Sequence, residues 1–66
     1  MKKTTNESRR DRANRRLAKA ARASVREWRR RARQAKQDGD VGAWSYAVIT
    51  AAENRARARE YDSRVA

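Results

Sequence analysis

The chain has 66 residues, carries 19 Lys+Arg against 8 Asp+Glu for a formal charge of +11, and contains no Cys, His, Pro or Phe. That length allows one small domain whose own core is marginal. Without Cys or His there is no zinc–thiolate site, no thiol chemistry, no imidazole acid–base catalysis and no disulfide framework. Large aliphatic residues are few (Leu17, Val25, Val41, Val48, Ile49 and Val65), and composition alone reads as disorder. Pattern decides otherwise.

The N-terminus, Met1-Lys2-Lys3-Thr4-Thr5-Asn6-Glu7, starts basic but has no apolar stretch behind it, so it does not read as a secretory signal. No apolar run approaches the ~18–20 residues of a membrane span, and a cytoplasmic protein is expected. Thr4-Thr5-Asn6-Glu7 has capping-box spacing, which predicts a helix starting near residue 5. From there to Gln37 the chain is rich in Ala, Arg, Lys, Gln and Glu with no Gly or Pro, a good helix-forming run.

A seven-residue repeat orders this first helix. With Ala18 at position a, the a and d positions are Asp11, Asn14, Ala18, Ala21, Val25, Trp28, Ala32 and Ala35, apolar throughout from Ala18 onward. Positions b and e are Arg12, Arg15, Lys19, Arg22, Arg26, Arg29, Arg33 and Lys36, and position f adds Arg9, Arg16 and Arg30. On a helical wheel b, e and f form one arc beside the apolar a/d stripe. A solvated face normally mixes signs, because like charges at i,i+4 cost a few tenths of a kcal/mol each. Here no Asp or Glu interrupts the arc, and a bound polyanion would relieve the repulsion. The b/e cations run from residue 12 to residue 36, about 36 Å of helix and close to one turn of B-DNA. Arg outnumbers Lys by 15 to 4. Guanidinium suits phosphates and base edges, although a GC-rich genome produces the same bias. Trp28, on the apolar stripe, is expected in the core rather than against a base.

Asp38-Gly39-Asp40-Val41-Gly42 is the one break. Gly39 suits a helix C′ position and Asp40 the N-cap of a second helix. Acids at alternate positions resemble a calcium loop, but Gly42 stands at loop position 5 and Ile49 where the bidentate Glu belongs, so no metal is expected. The second helix is predicted over about Val41 to Glu60. It is apolar nearly all round, with one seam of Val41, Trp44, Val48 and Ala51 and another of Ser45, Ile49, Ala52 and Ala56. Two seams imply two neighbours, the first helix and a second copy of the chain. Val25, Trp28, Trp44, Val48, Ile49 and Ala52 are accordingly the expected core and dimer residues.

The expected fold is all-α: an antiparallel two-helix hairpin, long basic helix first and shorter apolar helix second, dimerising into a four-helix bundle. Its parts are a basic arm over 1–17, helical when bound, a hairpin over 18–62 turning at 38–42, and a tail over 63–66. Charge divides with them, +12 over residues 1–36 and −1 over 37–66.

Two short segments resemble parts of nucleic-acid readers. Ala20-Ala21-Arg22-Ala23-Ser24 resembles the centre of a basic-leucine-zipper basic region, with Leu17 where that family has Asn and no zipper following. Ser8-Arg9-Arg10-Asp11-Arg12-Ala13-Asn14-Arg15-Arg16 resembles the arginine-rich peptides of phage antitermination proteins, which implies hairpin-RNA binding. The expected hairpin dimer is similar in plan to the small plasmid RNA-binding repressors of primer. The function expected is nucleic-acid binding by a homodimer, duplex DNA ahead of structured RNA, with phosphates held by the helix-1 arc. The alternative is a helical adaptor or inhibitor whose basic face grips an acidic protein. The apolar stripe, mostly Ala, is too weak for a membrane-active peptide. No nucleophile–base pair is present, so neither an enzyme nor a cofactor is expected.

Overall fold

The structure, a computed structural model, describes residues 8–65. Two helices, α1 (Arg9–Gln37) and α2 (Val41–Ser63), pack antiparallel as a hairpin. No helix among the described residues is long and apolar enough to cross a membrane.

α1 starts later than the capping box of residues 4–7 suggests, and those four residues lie outside the described ones. Its N-cap is Ser8, whose hydroxyl accepts from the Asp11 N–H at 3.1 Å. Ser8-Arg9-Arg10-Asp11 repeats the same spacing of hydroxyl and acid, and Asp11 in the first turn and Lys36 in the last complement the helix dipole. α1 ends in a Schellman turn. The Asp40 N–H reaches the Ala35 carbonyl at 2.9 Å and the Gly39 N–H reaches that of Lys36 at 3.2 Å, while Gly39 takes φ +73°. Asp40 then caps α2 by accepting from the Ala43 N–H at 3.0 Å. The chain thus reverses within three residues.

The buried stripe of α1 is Asn14, Ala18, Ala21, Val25, Ala32 and Ala35, with Trp28 half-buried among them, the a/d register of the heptad. On α2 the stripe differs from the sequence expectation. Ala47, Ala51 and Ala58 are buried, with Asn54, Tyr61 and Val65 half-buried in the same row, whereas Trp44 and Val48 keep 41% of their surface and Val41 keeps 72%. Of the seam Val41-Trp44-Val48-Ala51, only Ala51 packs into the hairpin. The reason is length and size. Followed by heptads, Val41 and Val48 lead to Arg55 and Asp62, so that row turns charged halfway along the helix. The 47-51-54-58-61-65 row stays uncharged to its end. Its alanines also meet the alanines of α1, which lets the two backbones approach closely.

α2 reaches Ser63, not Glu60, and Arg64 caps it, so residues 63 and 64 belong to the helix end rather than to a tail. The longer α2 covers α1 as far as Asn14, which is only 6% exposed and shares a hollow with Arg10 and Arg64. α1 passes residue 17 without a break. Among the described residues of the expected arm, residues 9–13 extend past the cover and residues 14–17 lie under it, while residues 1–7 lie outside the described ones.

Candidate nucleic-acid interface

Every cation singled out by the heptad is exposed: Arg9, Arg12, Arg15, Arg16, Lys19, Arg22, Arg26, Arg29, Arg30, Arg33 and Lys36. The hairpin contact, lying along a/d, splits ten of the eleven into two rows, with Arg15, at e, on the same flank of α1 as Arg22. Arg9, Arg12, Arg16, Lys19 and Arg30, at b and f, point away from α2 or lie at the edge of the outer surface. Arg22, Arg26, Arg29, Arg33 and Lys36 border the crevice between the helices, where they line hollows shared with α2.

Carboxylates of the described residues touch this surface at Arg22 and at Arg30. Asp62 of α2 pairs with Arg22 at 2.8 Å, both side chains about half exposed, a geometry contributing roughly 0–1 kcal/mol. Glu27, at position c, takes Arg30 at 3.1 Å and Arg31 at 3.3 Å and so draws Arg30 toward the far side of the helix. No carboxylate among the described residues pairs with Lys19, Arg26, Arg29, Arg33 or Lys36.

The second helix adds two cations that the helix-1 pattern does not include. Arg55 lines one hollow with Arg29 and Arg33, and another, with Arg59, opposite Arg22 and Arg26. The signal for them lay in the row Val41, Val48, Arg55, Asp62, which shows α2 changing character halfway along. The +12/−1 division of charge therefore does not carry over into space: Arg55 and Arg59 stand on the same side of the hairpin as the α1 cations.

On the opposite side Trp28 packs edge-on against Tyr46, with ring centroids 5.4 Å apart at 74°, and Arg31 lies over the Trp28 ring at 4.6 Å. Trp28 is thus held by protein groups at the rim of the seam. Of the other residues expected in core or dimer, Val25 is buried, while Trp44, Val48, Ile49 and Ala52 are exposed.

The loop acids are used locally. Asp40 caps α2, and Asp38 accepts from the Gln34 side-chain amide at 3.1 Å. Among the described residues there is no group of three or more His, Cys, Asp or Glu placed to hold a metal ion. No family model matches the chain, and no curated protein or solved structure matches it.

Proposed function

We propose that this protein binds nucleic acid, duplex DNA in preference to structured RNA, through the cationic face of α1, and that it dimerises through α2. One observation carries the proposal: the b, e and f cations stay exposed along the whole of α1 although a second helix packs beside them. Phosphate contacts supply the affinity, since each neutralised phosphate releases condensed counterions. Duplex DNA comes first because an unbroken helix fits its wide major groove, whereas the major groove of A-form RNA is too deep and narrow to admit one. Arg9–Ala13, past the end of α2, continues the cationic row along the same ligand.

Dimerisation rests on the face of α2 turned away from α1. Ser45, Ile49, Ala52 and Ala56 lie there, opposite the buried Ala47-Ala51-Ala58 row, and Ile49 keeps 58% of its surface. Small residues around one large aliphatic suit close packing of a second α2. α1 has cations on the flank that borders the crevice, so the four-helix assembly places the two α2 helices inside and the two α1 helices outside.

The proposal is tested by changing Arg22, Arg26 and Arg29 together to Gln. Duplex affinity should fall at least ~10-fold and the log–log salt slope should become shallower by about 3. Helicity by circular dichroism should be kept, because none of the three side chains is buried. Unchanged affinity would overturn the assignment of this face.

A further inference from the structure

The crevice on the cationic side of the hairpin has chemistry that phosphate binding leaves unused. Its floor is apolar: Val25, Ala32, Ala35, Ala51 and Ala58. One wall is the α1 row Arg22, Arg26, Arg29, Arg33 and Lys36. The other is apolar near the hairpin tip, with Val41, Trp44, Val48 and Ala52, and mostly cationic further down, with Arg55 and Arg59; its two carboxylates, Asp40 and Asp62, are engaged in capping α2 and in the ion pair with Arg22. Trp44 and Val48 are each 41% exposed, beside the packed Ala47 and Ala51.

From these walls we infer a second ligand, an acidic amphipathic helix of another protein, lying in the crevice as a third helix against α1 and α2. Its apolar stripe covers Trp44, Val48 and the alanine floor, and its flanking carboxylates meet the α1 row on one side and Arg55 and Arg59 on the other. Phosphates would gain nothing from the aliphatic wall, and single-strand binding draws on a series of aromatic platforms. Trp44 is the one aromatic ring lining the crevice hollows. A second copy of this chain does not fit either. Its α1 is strongly cationic, and its α2 sets Arg55, Arg57 and Arg59 against Glu53, Glu60 and Asp62, so neither helix is acidic. The site shares Arg22, Arg26, Arg29, Arg33 and Lys36 with the proposed phosphate-binding face and leaves Arg9, Arg12, Arg16, Lys19 and Arg30 outside it; the inference stands whether or not the α1 face binds DNA.

From Arg22 to Lys36 the crevice is about 21 Å long, or four helical turns. The probe is a fluorescein-labelled peptide of about that length with Leu at i, i+3, i+4 and i+7 and Glu on both flanks. Its control has the same composition in an order that scatters the Leu residues. The ordered peptide is expected to bind at least ~10-fold tighter than the control, and in the Trp28→Phe protein it should shift Trp44 emission to the blue. In the Trp44→Ala/Val48→Ala protein that margin should disappear while duplex affinity stays within about threefold. Equal binding of the two peptides would overturn the inference, since only charge would then be read. An unmoved Trp44 emission would overturn it too, and this readout uses the intact crevice, so it holds even if the double variant loses helicity. A single-stranded oligothymidylate that shifts Trp44 and displaces the ordered peptide at lower concentration would make the crevice a nucleic-acid groove instead.

Discussion

Asn14 is the one buried polar residue among the described residues, on the stripe that Ala18 and Ala21 continue. Its amide is withdrawn from water beside Arg10 and Arg64, and Asn is a weaker helix former than Ala by about half a kcal/mol. Asn14→Ala should therefore stabilise the hairpin by about 0.5–1 kcal/mol, seen as a higher thermal midpoint. A lower midpoint would mean that the amide is satisfied by partners whose loss costs more than the gain in propensity. Residues that act locally could be read from the sequence, Gly39 and Asp40 above all, because a cap depends on its own few neighbours. Asn14 could not. Its burial depends on where α2 ends, fifty residues further along the chain.

The two helices differ in how clearly their sequences display their faces. α1 contrasts apolar with cationic at every turn, so its heptad gives both the buried stripe and the exposed arc. α2 has little contrast over its first half, and its bulkiest side chains draw attention away from the row that packs. That row consists of Ala47, Ala51 and Ala58, set against Ala18, Ala21, Ala32 and Ala35. Small side chains on both helices fix a short interhelical distance, so bulk is excluded from the seam. Ala51→Leu should push the helices apart and destabilise the hairpin by about 1–3 kcal/mol in chemical denaturation. Arg57→Leu, at an exposed position that belongs to neither the seam nor the proposed dimer face, should leave the midpoint within about 0.5 kcal/mol. Equal effects at the two positions would refute the register of α2. The identity of the packed row also explains why Arg55 and Arg59 were hidden in the sequence: only the rotation of α2 about its axis brings them beside the α1 cations.

At the scale of the whole molecule, two helices cannot bury the apolar surface that α2 carries. Leu17, Val41, Trp44, Tyr46, Val48 and Ile49 all remain exposed, more large side chains than a 66-residue monomer ordinarily leaves in water. A second α2 seated on Ile49 removes part of that surface, and Ile49→Asp should convert a dimer to a monomer in light scattering while leaving the hairpin helical. A wild-type monomer at micromolar concentration would remove dimerisation from the account. The charge of +11 is likewise a property of arrangement. Distributed evenly it would merely keep the chain soluble, but eleven of the α1 cations follow the single b, e and f arc of that helix, and Arg55 and Arg59 of α2 stand beside it. The most direct test of the central claim is the affinity of the wild-type protein for duplex DNA measured across a salt series. Contact with about six phosphates predicts a log–log slope near −5, and scrambling the DNA sequence should change it little. Binding that is weak and flat across all salt concentrations would contradict a phosphate-reading face on α1.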